Sequence, residues 1–280
     1  MAEFLVEIAT EMGWAIPVAI VLWFLARRWT TLVPAADASP VSRSRSTRAA
    51  WQRAIGLGAA AAALVAILIG LGSLITSVLT PVRDLDTAII DGFVETRSEP
   101  ATFFALVFDA VGDTPGIIAI VLIAATVAHA VTRRWAPALI IVVATAGETA
   151  IFLATQLAIS RPRPDVEQLA AEPATSSFPS GHVAATIATY GCIALVVLAW
   201  SRGGLRAVAV IAAVGLPLAV AWSRMYQGMH FPSDVLASFV FAPLWLAACW
   251  WAFRPIPGGE RVRFGGASDR EPRDATEPAR

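Results

Sequence analysis

Long apolar segments recur along the chain, and they constrain its fold more than any other feature of the sequence. Crossing the hydrocarbon core of a bilayer takes roughly 20 residues of helix at 1.5 Å per residue. With 57% hydrophobic and 15% charged residues, the chain is too apolar for an ordinary soluble domain. The sequence therefore predicts an all-α fold, a polytopic membrane helix bundle with six core transmembrane helices. The predicted spans are 54–80, 115–131, 137–160, 182–200, 205–222 and 235–253.

The ends of the chain differ from this core. Residues 4–26 suit an extra N-terminal span, but Glu7 and Glu11 also suit an interfacial helix, so both interpretations stay open. A basic linker, about residues 27–53, follows. Three regions are expected: 1–53 with the first helix and the cytoplasmic linker, 54–253 as the transmembrane catalytic domain, and 254–280 as a disordered cytoplasmic tail rich in Pro, Gly and charge.

One segment between the first two core spans is amphipathic. Leu85, Ile89 and Phe93 recur at four-residue spacing among acidic residues, which predicts a helix at the membrane interface over residues 82–97. Residues 102–112 are interpreted as an extension of the span that follows.

Arginine bias predicts the orientation of the spans. The 27–53 linker, the 133–134 turn, the 202–206 turn and the tail carry the Arg residues that membrane proteins keep in the cytoplasm. The opposite face should then be outward. It holds the segments 81–114, 160–181 and 223–234.

The outward stretch from Ser223 to Asp234 gathers ionisable residues beside apolar spans. Ionisable residues in such a place are costly to keep, so function is the default hypothesis. Arg224 precedes His230 by six residues, and Asp234 follows it by four. A carboxylate that holds one imidazole nitrogen frees the other to attack, and a guanidinium suits a phosphate.

A second outward loop contributes an anion site. Arg161 and Arg163 are each followed by proline, which keeps the backbone extended and presents the guanidiniums stiffly. The loop ends in Ser180, Gly181 and His182 immediately before an apolar span. A helix that begins there directs backbone N–H groups and partial positive charge at the loop. Two His, an Asp and this cradle suit phosphoryl transfer through a phosphohistidine without a metal.

These motifs resemble the type 2 phosphatidic acid phosphatase (PAP2) superfamily, whose signature is Lys-x6-Arg-Pro, Pro-Ser-Gly-His and Ser-Arg-x5-His-x3-Asp. Pro179–His182 matches the second part, and Ser223–Asp234 matches the third at the required spacing. Arg163-Pro164 matches the end of the first. The resemblance covers roughly residues 54–253.

The resemblance implies a role for each matching residue. His230 is the nucleophile, and Asp234 orients it and stabilises its cation. His182 protonates the leaving oxygen and later activates water. The phosphate is held by Arg163, Ser180, Gly181 and Arg224. The implied substrates are lipid phosphates or polyprenyl (di)phosphates that enter sideways from the bilayer.

One position departs from the family signature. Gln156 stands where the family has Lys, seven residues before Arg163. Gln still donates a hydrogen bond to a phosphate oxygen, but losing a charge-assisted contact costs roughly 1.5–3 kcal/mol. Gln156 is therefore predicted to be a weak phosphate ligand, for which Arg161 partly compensates. The departure is also compatible with low activity or altered substrate choice.

The remaining polar residues have structural interpretations. Arg161 suits a snorkelling residue or a loop charge, and His129 a structural or interfacial residue. Glu148, near the middle of a span, is interpreted narrowly as structural, with support of Gln156 as the alternative. Cys192 and Cys249 suit packing, and with three His and no Cys cluster neither a zinc site nor a cofactor is predicted.

Three functions remain to be weighed. The first is an outward-facing lipid phosphatase in a bacterial plasma membrane that takes its lipid phosphate from the bilayer. The second is a catalytically weak lipid-phosphate binder or scaffold, suggested by Gln156. The third, a transporter, is disfavoured because the polar cluster lies at one face and not at the midplane. A vanadate-dependent haloperoxidase is disfavoured by the spans, and zero net charge indicates no nucleic-acid partner.

Overall fold

A computed structural model of the protein describes residues 43–171 and 175–253. Within these ranges all regular elements are α-helices, as predicted. They are α1 (Arg43–Ser77), α2 (Thr80–Glu95), α3 (Glu99–Gly112), α4 (Thr114–Thr132), α5 (Trp135–Ala158), α6 (Gly181–Trp200), α7 (Gly204–Tyr226) and α8 (Pro232–Phe253).

Six of these helices are long and apolar enough to cross a membrane: α1, α4, α5, α6, α7 and α8. They correspond one by one to the six predicted core spans, and apolar side chains along them are exposed, as expected of surfaces that face lipid. The predicted first helix over residues 4–26 and the predicted tail over 254–280 lie outside the described residues.

Three predicted boundaries differ from the observed ones. Helix α1 begins at Arg43, inside the predicted linker, because Arg and Ala favour helix and the first turns of a span can extend into water. Residues 102–112 do not extend the next span. They belong to the separate helix α3, and the chain turns at Asp113, whose side chain accepts a hydrogen bond from the Gly116 N–H at 2.8 Å and begins α4.

The third difference concerns the stretch from Ser223 to Asp234. Helix α7 continues to Tyr226 and α8 begins at Pro232, so only residues 227–231 lie between them. Arg224 occupies the last turn of α7, and Asp234 the first turn of α8. Two rigid helices therefore hold side chains that the sequence placed in one loop.

Helix α6 lies at the centre of the bundle and contacts α3, α4, α5, α7 and α8. Its buried face consists largely of small residues such as Ala184 and Ala188, which let the neighbouring helices approach closely. Polar contacts add specificity: the hydroxyls of Thr145 and Thr189 are 2.9 Å apart between α5 and α6. The Trp245 indole N–H of α8 donates to the Ala144 carbonyl of α5 at 2.8 Å.

The predicted amphipathic helix is α2. Leu85 and Ile89 are exposed, whereas Asp86 and Ile90 are buried against the bundle. The apolar positions that predicted the helix thus lie on its outer side, and one of its two buried residues is acidic.

Candidate active site

His230 lies in the short connection between α7 and α8 and is almost completely buried. Its Nδ1 is 2.7 Å from the carbonyl oxygen of Ser177. A carbonyl only accepts, so Nδ1 carries the proton and the neutral ring has its lone pair on Nε2. Nε2 lies 3.5 Å from Nη1 of Arg163. The fold therefore aims the unprotonated nitrogen at a cation that could hold an anion.

The protonation state of His230 follows from its surroundings. Burial lowers the pKa of His230 well below its usual 6.5, and the charges of Arg224, Arg163 and Arg161 lower it further. The hydrogen bond to Ser177 opposes these effects and is outweighed. The imidazole is thus kept neutral, which is the form that attacks phosphorus.

Asp234 does not orient His230 by a direct hydrogen bond in this structure. Its Oδ2 is 3.8 Å from His230 Nδ1 and accepts the Phe231 backbone N–H at 2.9 Å. Its Oδ1 forms an ion pair with Arg161. The Ser177 carbonyl holds the ring instead.

The prediction that Arg161 is a snorkelling or loop charge is wrong. Its side chain is 3% exposed and bridges two carboxylates, those of Asp234 and Asp86. Nη2 lies 2.7 Å from Asp86 Oδ2, and Nη1 donates to the Ser233 hydroxyl at 2.7 Å. With its charge committed to these partners, Arg161 is poorly placed to compensate for Gln156.

Asp86 is a site residue that the sequence analysis missed. Besides pairing with Arg161, it accepts the Ser233 backbone N–H through Oδ1 at 2.9 Å. It thereby ties α2 to the first turn of α8, which also carries Asp234. No motif includes it, because α2 meets α8 only in the folded chain.

Arg163 extends from the loop between α5 and α6 toward His230 and is buried. Its Nη1 donates to the Met229 carbonyl at 2.6 Å, and its Nη2 is 3.4 Å from the Thr175 hydroxyl. These contacts on both sides fix the guanidinium beside His230. The predicted juxtaposition of Arg163 and His230 is therefore observed.

The start of α6 supplies the other half of the cradle. Ser180 is the residue before the helix and is fully buried, and within the described residues its hydroxyl has no hydrogen-bond partner. The first N–H groups of a helix also lack intrahelical partners. Gly181 is required by packing: a Cβ there would lie 2.8 Å from the ring of Phe152.

His182, Arg224 and Asp109 form a second cluster. Arg224 Nη1 donates to Asp109 Oδ1 at 2.5 Å, and the same oxygen is 3.6 Å from His182 Nε2. Arg224 Nε is buried with no hydrogen-bond partner among the described residues. The side chains of His182 and Asp109 are 28% and 19% exposed, so the site opens on this side. Asp109, on α3, was also missed from the sequence.

The side-chain amide of Gln156 is hydrogen-bonded within the protein. The group donates to the Ser176 carbonyl at 2.7 Å. Ser176 precedes Ser177, whose carbonyl holds His230. Gln156 thus supports the loop segment that contacts His230.

A cavity of about 880 Å³ adjoins Arg163 between α2 and the 162–170 loop. Its walls include Thr87, Asp91, Gln168 and Phe231. Glu148 lies away from this cavity's walls, buried within α5, with Thr149 as its hydroxyl partner at 3.4 Å. Among the residues that the structure describes, no three His, Cys, Asp or Glu side chains group as metal ligands would.

Comparison with known proteins finds a family match in the second half of the chain. Residues 136–256, which include nearly all of α5, the loop after it, α6, α7 and α8, match the model of the PAP2 superfamily. These residues form a PAP2 region. The predicted resemblance to the PAP2 superfamily is confirmed over this region, and it supports the predicted phosphatase class of enzyme. None of the curated proteins compared with the chain matches it significantly.

A solved structure shares the fold of this chain. It is the crystal structure of a transmembrane PAP2 type phosphatidylglycerolphosphate phosphatase from Bacillus subtilis. The two chains superpose with a TM-score of 0.61 and 22% sequence identity, over 68% of this chain and 93% of the other. Together with the six apolar helices, this likeness identifies the chain as an integral membrane protein.

Proposed function

We propose that this protein hydrolyses a lipid phosphate or polyprenyl (di)phosphate at the outer face of the plasma membrane, through a phosphohistidine and without a metal. The observation that carries the proposal is the state of His230. Its Nδ1–H is committed to the Ser177 carbonyl, and its Nε2 lone pair faces Arg163. A buried neutral imidazole beside a cation suits attack on a bound phosphate.

In the first step His230 Nε2 attacks phosphorus, and the bond from phosphorus to the lipid oxygen breaks. His182, protonated, gives its proton to that oxygen, and the lipid alcohol leaves. In the second step water attacks phosphorus, the P–N bond breaks, and the water proton passes to His182. Inorganic phosphate is released with both histidines back in their starting states.

The phosphate oxygens are held by donors that surround His230. Arg163 supplies one charge, and Arg224 supplies a second through the Nε that has no partner among the described residues. Ser180 adds an unpaired buried hydroxyl and α6 its first N–H groups. Preorganised donors of this kind stabilise the charge of the transition state at little reorganisation cost.

Phosphate release from a panel of lipid mono- and diphosphates, in detergent with EDTA, tests the proposal. Wild-type turnover is expected, with a loss of roughly 10³-fold or more in His230→Ala. Trapping a labelled phosphoryl group in wild type and not in His230→Ala would support the covalent step. Turnover that persists in His230→Ala, or that EDTA abolishes, would contradict it.

Gln156 motivates the alternative, a catalytically weak lipid-phosphate binder or scaffold. Lipid-phosphate binding without turnover on any member of the panel would favour this alternative.

Gln156→Leu separates the loop-support role from the phosphate-ligand role. The leucine leaves the Ser176 carbonyl without its donor, so kcat is expected to fall several-fold with a small change in KM. Gln156→Lys, which keeps a donor and adds a charge, serves as the matched variant. Steady-state kinetics decide: a rise in KM with kcat unchanged in Gln156→Leu would instead assign Gln156 to phosphate binding.

A further inference from the structure

Asp109 is an acidic residue that contacts both the proposed proton donor, His182, and the proposed phosphate ligand, Arg224. It lies on α3, outside all three sequence motifs, and its Oδ1 is within 3.6 Å of His182 Nε2 and 2.5 Å of Arg224 Nη1. The other acids close to the site, Asp86 and Asp234, are paired with Arg161 instead. We propose that Asp109 is a positioning residue that sets His182 and Arg224 against the substrate.

The contact with Arg224 orients the guanidinium. Arg224 is 3% exposed, and a buried cation without a partner is costly, so the carboxylate offsets much of that cost. Asp109 binds Nη1, so Nε lies on a different edge of the guanidinium. There Nε has no hydrogen-bond partner among the described residues. That edge is available to a phosphate oxygen.

The contact with His182 concerns proton transfer. A carboxylate near one imidazole nitrogen orients the ring. The same Oδ1 serves both partners, so it also fixes the distance between the phosphate-binding Arg224 and the acid His182. Asp109 acts through these two side chains, not on the substrate itself.

This inference rests on the proposed function, and it makes a specific prediction about leaving groups. An alkoxide leaves only with a proton, whereas a nitrophenolate leaves without one. The test compares dioctanoyl phosphatidic acid with 4-nitrophenyl phosphate, using full-length protein in detergent. In Asp109→Asn, KM is expected to rise for both substrates because Arg224 is released, and kcat for the lipid to fall about 10–100-fold. The fall in kcat for the aryl phosphate is expected to be several-fold smaller.

Two variants complete the design. Asp109→Glu keeps the charge and is expected to recover part of the lipid activity. Asp84→Asn removes an exposed acid on α2 and is expected to leave both activities unchanged. Thermal stability in detergent is measured for each variant. If Asp109→Asn does not fold, the ratio of lipid to aryl activity in Asp109→Glu takes its place.

Equal losses on the two substrates, in whichever Asp109 variant folds, would overturn the inference, because a merely structural ion pair would affect both alike. No loss on either substrate would also overturn it. Wild-type protein that hydrolyses neither substrate would instead be a failure of the proposed function, and the two failures are therefore distinguishable.

Discussion

Arg161 shows at the residue scale how the loop between α5 and α6 is held against α2 and α8. Arg161→Ala would leave the carboxylates of Asp86 and Asp234 buried together without their shared cation. Breaking a buried pair from one side costs about 3–5 kcal/mol. We therefore expect a large fall in the thermal unfolding midpoint, measured in detergent.

Arg202→Ala is the control for this prediction, because Arg202 is exposed in the turn between α6 and α7. A surface change of this kind shifts stability by less than about 0.5 kcal/mol. Equal midpoints for the two variants would show that the Arg161 network contributes nothing.

His230 carries a prediction about pH. Its folded pKa lies below 6.5, the unfolded value, so the neutral form is favoured on folding. The stability that this group contributes is therefore fully present above pH 6.5 and is lost as pH falls through the folded pKa. For the same reason, protonation of His230 in the free enzyme should lower kcat/KM only below pH 6.5.

A pH profile of kcat/KM on a short-chain lipid phosphate checks this expectation. His182→Gln provides the comparison, since any residual activity then reports His230 without the proton donor. A limb assigned to His230 and centred above pH 6.5 would contradict the burial argument.

At the scale of elements, the contact between α5 and α8 depends on Gly147. A Cβ at this position would overlap the Trp245 ring, whose indole N–H is bound to Ala144 nearby. Gly147→Val should therefore destabilise the fold by about 1–3 kcal/mol through overpacking. Gly70→Val on α1 is the matched control, because nothing lies within 4 Å of its Cβ position. Comparable thermal midpoints in detergent for the two variants would argue against close α5–α8 packing.

At the scale of the whole molecule, the arginine bias predicts that the site faces outward. Glu99, at the start of α3, and Arg202, after α6, are exposed at opposite ends of the bundle. Glu99→Cys should react with a membrane-impermeant maleimide in intact cells, and Arg202→Cys only after the membrane is opened. Both are made with Cys192 and Cys249 replaced by Ala. The reverse labelling pattern would place the site on the cytoplasmic side.

The sequence by itself determined the helical membrane class, the six core spans and the residues of the three motifs. The length and periodicity of an apolar segment are local properties, so they can be recognised without knowing which residues are in contact. The motif residues were identified because their spacing along the chain is itself the signature. The sequence predicted the ends of the helices less well. Helix α7 continues through Arg224 because its last turn contains polar residues that an apolar pattern does not include.

The tertiary structure decided which side chains meet. Asp86 lies 75 residues from Arg161, and Asp109 lies 115 from Arg224, so no local pattern could have paired them. Likewise, a backbone carbonyl 53 residues away, that of Ser177, takes the bond to His230 expected of Asp234. Buried charges require partners, but which helix supplies each partner is set by packing.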